Sequence, residues 1–170
     1  SKRETLYGRI SEQRIEEVGP WRRKYWKSIE QNYGRHPHFE RYEKPLKAIL
    51  FSSFERLVDL NGALIDFFRS ELGITTPLLR ASTLGVEGNK SELLHAICRK
   101  VEAETYLSGP SGRDYLDESL FHSSGIGVLY HGFEHPVYPQ FRAKSFIPQL
   151  STLDLLFNCG PESRDHFLPS

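Results

Sequence analysis

Apolar residues recur at intervals of three and four through much of this chain, a spacing that predicts helices. Gly19-Pro20 opens the first, with Pro20 at its first helical position. Trp21, Tyr25, Ile29 and Tyr33 give it an aromatic face that ends near Gly34. His36-Pro37 keeps the next residues out of that helix. Residues 44–72 read as helical in two pieces that meet near Ser52-Ser53. The second piece carries a broad stripe of Leu57, Leu60, Leu64, Phe67, Phe68 and Leu72, and Gly73 stops it. Asn89 with Glu92 predicts the cap of a further helix, whose core face is Leu93, Leu94, Ile97 and Val101 with Cys98 in or beside it. A short helix follows over residues 117–122. The last one has Ser151 and Asp154 as a capping box, Leu153, Leu155, Leu156 and Phe157 as its body, and Gly160-Pro161 as its stop. Asn158 falls at its end, and residues 161–170 read as a tail.

Short aliphatic runs lie between these helices. Residues 74–79, 105–107 and 126–131 read as strands. Strands and helices alternating every thirty residues or so predict βαβ crossovers and a parallel sheet. The expected fold class is therefore α/β, with helices around a small, mostly parallel sheet, in one domain spanning residues 1–170. Residues 1–18 are polar, with Ile10, Ile15 and Val18 their regularly spaced aliphatics, and read as one ragged strand or a disordered lead-in.

Composition narrows the classes open to this fold. The chain has 170 residues, with 22 basic and 22 acidic side chains, so no net field draws it to nucleic acid or anionic membrane. The stretch from Trp21 to Lys47 does mix aromatics with Arg22, Arg23, Lys24, Lys27, Arg35, Arg41, Lys44 and Lys47. Base stacking and phosphate pairing use that mixture. The helical spacing of the aromatics favours a core stripe with a solvated basic face, and no nucleic-acid partner is expected. Two cysteines, Cys98 and Cys159, form no disulfide framework and suit a reducing, cytoplasmic setting. No apolar run reaches the ~20 residues of a membrane span, and no signal-peptide pattern opens the chain. HExxH and CxxC spacings are absent, so no metal site is expected, and there is neither a Walker loop nor GxGxxG. No Met occurs anywhere, and the chain opens on Ser1-Lys-Arg-Glu, which suggests a fragment lacking N-terminal strands.

Candidate chemistry gathers around residues 105–116. The strand there breaks on Gly109-Pro110, and Ser111 with Asp114 reads as a capping box. A strand, a small-residue loop and a helix start can turn backbone N–H groups toward an anion, so Ser108, Gly109, Ser111 and Gly112 are candidate binders of a phosphorylated ligand. The plainer reading is a turn and a cap. In a parallel sheet, ligands collect beyond the carboxyl ends of the strands. Three polar loops would meet there: residues 80–83, residues 108–112, and the loop carrying His131 and His135. His135 is the candidate general base, because imidazole exchanges protons near neutral pH, and His131 is a weaker one. Tyr138 and Gln140 are candidates to orient a ligand by hydrogen bonds.

Tyr106-Leu-Ser-Gly-Pro-Ser-Gly-Arg-Asp-Tyr-Leu, Gly125-Ile126, His135-Pro-Val-Tyr-Pro-Gln140 and Leu150-Ser-Thr-Leu-Asp-Leu-Leu-Phe-Asn-Cys-Gly160 resemble, in order and spacing, the WbqC-like protein family. Residues 21–33 and 72–76 look like its middle section, while the Gln-Pro-Tyr opening typical of its members is absent. The family is associated with bacterial surface-polysaccharide (O-antigen) gene clusters. The resemblance implies a transferase that moves an acyl or aminoacyl group onto a nucleotide-activated amino sugar. A sugar nucleotide, or another phosphorylated small molecule, would be the partner, and no cofactor is implied. A nucleotidylyltransferase-like nucleotide-binding enzyme and a non-catalytic binding or scaffold protein are the alternatives.

Overall fold

A computed structural model describes residues 9–16 and 20–166 of the chain. Among them are six α-helices and one two-stranded parallel sheet, an α/β arrangement with far more helix than sheet. No helix among the described residues is long and apolar enough to cross a membrane. The chain divides into two compact units, Ser1–Thr76 with His135–Ser170, and Pro77–Glu134.

The first unit is built on α1 (Trp21–Tyr33), α2 (Phe39–Phe51), α3 (Leu57–Glu71) and a helix near its C-terminal end, Thr152–Cys159. That last helix supplies the centre of the core. Phe157 is fully buried, with its ring 5.0 Å from Tyr33, 5.2 Å from Phe39 and 6.3 Å from Tyr42. Leu155 and Leu156 are buried beside it. Ile29 is buried as expected and Trp21 and Tyr33 pack partly buried against the core, but Arg22 and Trp26 are the other buried residues of α1 and Tyr25 is 54% exposed. Arg22 is thus no member of a solvated basic face. Its guanidinium donates to the carbonyls of Leu50 and Ser52, which the end of α2 leaves without helical partners.

α2 starts at Phe39 rather than Lys44, with Pro45 inside it. Pro45 is carried inside the helix because burial of Phe39 and Tyr42 holds the residues ahead of it. Gly73 ends α3 as expected. It lies at φ +64°, and the Ile74 N–H reaches back to the Arg69 carbonyl at 2.8 Å, closing a Schellman-type cap. Before α3, Arg14 and Arg56 form an antiparallel bridge, so part of the N-terminal stretch pairs as a strand would. Ile10–Glu12 is a 3-10 turn, while Val18 and Gly19 lie outside the described residues.

Residues 161–166 do not form a free tail. Gly160–His166 is a 3-10 helix whose Ser163 is fully buried and donates to the Gly160 carbonyl at 2.6 Å. Gly160 is needed at its head. Its φ of +58° with ψ −132° suits glycine alone, and a Cβ there would sit 2.5 Å from Nδ1 of His38.

The second unit holds α4 (Lys90–Lys100), β1 (Thr105–Ser108), α5 (Glu118–His122) and β2 (Gly127–Tyr130), so the C-terminal helix of the first unit is α6. β1 pairs β2 in parallel register, Thr105 with Gly127 through Ser108 with Tyr130. Cys98, Phe121 and Ile126 are its buried core, with Leu94, Tyr106, Leu120 and Val128 packed around them. Val101, expected in the core, is 40% exposed. The third expected strand does not form. Residues 74–80 are irregular, with Leu78 and Leu79 exposed, because an isolated apolar run has no neighbour to pair with. Asn89 precedes α4 but makes no side-chain cap bond, whereas Asp117 caps α5 by accepting from the Ser119 N–H.

Candidate functional site

The first unit contains a cleft of about 430 Å³, lined among others by Asn32, Tyr33, His36, Gln140, Arg142 and Asp154. Volumes of that order suit a small ligand. α6 organises it. Asp154 and Asn158 stand four residues apart on a mostly apolar helix, so they share one face. Both are buried. Asn158 accepts from the Phe141 N–H at 2.7 Å and donates to the Asp154 carbonyl at 2.7 Å, tying the 135–150 loop to the helix.

Asp154 is 4% exposed, and its Oδ2 accepts from Tyr138 Oη at 2.9 Å and from Gln140 Nε2 at 3.1 Å. Ser151 alone caps α6, accepting from the Leu153 N–H at 3.0 Å. The expected capping box is therefore only half made, because the carboxylate that would reach back to Ser151 is engaged with the loop. Burial pushes Tyr138 far above its ordinary pKa, and the hydrogen bond to Asp154 and that carboxylate's charge push the same way. Tyr33 is raised by burial first, then by the charge of Asp154 and hydrogen bonding to it. The Tyr138 phenol is a proton donor to the carboxylate. His36 packs 4.9 Å from Tyr33 and 5.2 Å from Phe141, ring centre to ring centre. Burial lowers its pKa, against the pull of Asp154 and of the Tyr33 backbone carbonyl, and its buried Nδ1 makes no hydrogen bond of normal geometry.

Of the residues singled out from sequence, His135, Tyr138 and Gln140 lie in this unit. Tyr138 is 5% exposed and holds Asp154. Gln140 spends both ends of its amide on the loop, donating to the Ile147 carbonyl at 2.9 Å and accepting from its N–H at 2.8 Å. His135 is half-buried against the rings of Tyr138 and Phe146. Its Nδ1 lies 2.9 Å from the Pro136 carbonyl, which can only accept, so Nδ1 is the donor in that contact.

The remaining candidates lie in the second unit. The parallel pairing brings the ends of β1 and β2 together, with the His131 N–H donating to the Ser108 carbonyl at 3.0 Å. His131 Nε2 stands 3.7 Å from where a Cβ on Gly109 would be. Pro110–Asp114 is a 3-10 turn headed by Gly109, so Ser111 lies inside the turn and caps nothing. Gly112 has a packing reason to be glycine. A Cβ there would meet the Oγ of Ser108, which is 2% exposed and fills that space. The Arg113 guanidinium lies 4.1 Å over the ring of Tyr130, whose hydroxyl donates to Glu118 at 2.7 Å. The sheet edge thus carries His131 and Arg113 beside the Gly109 turn. Residues 80–83 follow no strand and have no such edge to join. Among the described residues, no three His, Cys, Asp or Glu side chains cluster to hold a metal.

Sequence reading missed Asp154 as anything beyond a cap partner, and missed Tyr33 and His36 altogether. One signal was available: two polar residues at helical spacing inside Leu-Asp-Leu-Leu-Phe-Asn.

A mostly helical α/β protein with a buried carboxylate lining an open cleft is the class these features define. The model of the WbqC-like protein family matches residues 2–166, and the chain belongs to that family. It is also 34% identical over 149 residues to the uncharacterized protein Rv1507c of Mycobacterium tuberculosis, covering 86% of this chain and 64% of that protein. This chain therefore spans somewhat under two thirds of that relative's length. No solved structure matches it.

Proposed function

We propose that this protein is a cytoplasmic transferase of bacterial surface-polysaccharide biosynthesis, moving an acyl or aminoacyl group onto a nucleotide-activated amino sugar. The observation that carries the reading is the carboxyl edge of the β1–β2 pair. There the Gly109 turn, His131 and Arg113 gather at the kind of strand end where parallel sheets take phosphorylated ligands. Arg113 offers a planar, always-charged fork to a phosphate. The residue 108–112 loop and this edge would hold the diphosphate of the sugar nucleotide.

His135, which belongs to the first unit, is offered separately as the candidate base of the transfer. As the sugar amine attacks the donor's carbonyl carbon, a nitrogen–carbon bond forms and the donor's leaving group departs. The amine's proton passes to the His135 imidazole. Tyr138 and Gln140 serve this step by fixing the loop that carries the histidine.

Isothermal titration of the chain with UDP-N-acetylglucosamine and with dTDP-glucose tests the first half. Micromolar to millimolar binding that Arg113→Ala weakens at least tenfold supports it. Absence of binding by every sugar nucleotide, or an unaffected Arg113→Ala protein, sinks it. His135→Gln tests the second half. Its expected effect is a 10²–10⁴-fold slower transfer at unchanged nucleotide affinity, the usual loss of a general base. Tight nucleotide binding with no transfer in the parent protein would instead favour a non-catalytic binding role.

A further inference from the structure

Asp154 is a buried carboxylate whose partners are all neutral. Tyr138 and Gln140 donate to it, and Tyr33 lies against it. Among the described residues no Lys or Arg pairs with it, and His36 nearby stays neutral at pH 7 because burial lowers its pKa. A buried anion without a cation is costly, and hydrogen bonds from neutral donors offset only part of that cost. The carboxylate also lines the floor of a cleft rather than a sealed core. Aromatic rings of Tyr33 and Phe141 form part of the walls, and ring faces attract cations. His36 lines the same cleft, with its buried Nδ1 making no hydrogen bond of normal geometry. Every one of these features favours a cationic N–H donor.

We propose that the cleft around Asp154 is a binding site for a primary ammonium group on a small ligand. Asp154 takes its charge, the rings of Tyr33 and Phe141 flank it, and His36 borders it. Arg142, whose guanidinium lies 4.9 Å over the Phe141 ring, stands on the lining as the cation for an anionic group on the same ligand. An amino sugar and an α-amino acid both carry the ammonium, and the second would also use Arg142. As the amine-bearing substrate of the transfer proposed above, the ligand's role rests on that reading. The binding itself does not.

The experiment is a heteronuclear NMR titration of the full chain with D-glucosamine, glycine, and their uncharged counterparts D-glucose and glycolamide. The Gln140 side-chain amide and the Phe141 backbone amide are the reporters. Either amine at millimolar concentration is expected to shift both reporters, with glucose and glycolamide at least tenfold weaker. Glucosamine binding more tightly than glycine identifies the amino-sugar source, and the reverse order identifies the amino acid. Asp154→Asn keeps an acceptor for Tyr138 and Gln140 while removing the charge, and should lose amine binding tenfold or more. Should that variant fail to fold, the comparison of charged and uncharged ligands on the parent protein decides alone. Equal response to glucosamine and glucose, or no response to either amine, overturns the proposal. Sugar-nucleotide titrations report on Arg113, so failure of the transferase reading and failure of this site are separately visible.

Discussion

Replacing Tyr138 by Phe removes one oxygen from the buried centre of the first unit and leaves the ring packing in place. That oxygen donates to Asp154 Oδ2 at 2.9 Å, and the phenol is itself buried, so the bond is charge-assisted and shielded from water. Hydrogen bonds to charged groups contribute about 1.5–3 kcal/mol. Gln140 remains as a donor to the same oxygen, which argues for the lower half of that range. For a chain of this size each kcal/mol moves the melting midpoint roughly 2–4 °C. The expected fall is thus about 3–9 °C. Urea denaturation followed by far-UV circular dichroism should give the same loss with an unchanged slope. A double-mutant cycle isolates the pair: Tyr138→Phe in an Asp154→Asn background should cost at least about 1 kcal/mol less than in the parent, as coupled neighbours do. A single-mutant loss below about 0.5 kcal/mol, or strict additivity in the cycle, would refute the view that Asp154 is held by this phenol.

His36 predicts a pH limb in stability. Its folded pKa lies below the ordinary value of 6.5, so between those two values the unfolded chain binds a proton that the native chain does not. Stability from this group is complete above pH 6.5 and is lost as pH falls through the folded pKa. His36→Gln should flatten the acid side of the midpoint-against-pH curve, and an unchanged curve would refute it. The two cysteines predict slow labelling. Both are buried, and burial raises both thiol pKa values, so neither presents much thiolate. Native protein at pH 8 should react with a disulfide reagent only as denaturant opens it. Cys98 then reports on the second unit and Cys159 on the first, and rapid labelling of either in the folded chain would contradict its burial.

The helices were legible because their physics is local. Residues i, i+3 and i+4 share a face whatever else the chain does, so the α2–α3 break, the Gly73 stop, the Asp117 region and the Ser151 cap can be read from spacing alone. The parallel pairing of residues near 105 with residues near 127 was legible for a related reason, since a short helix between two strands needs a crossover. Which face of α1 turns inward was not. Arg22 is buried because its guanidinium meets carbonyls from Leu50 and Ser52, about thirty residues away, and no local pattern encodes that meeting. Pro45 is carried inside a helix, and residues 74–79 fail to become a strand, because packing and pairing partners outrank propensity. The cleft is the clearest case. Sequence assigns Asp154 to a cap, since Ser151 precedes it by three. Tertiary structure gives the carboxylate to Tyr138 and Gln140, residues 16 and 14 positions away, because a buried charge goes where donors converge.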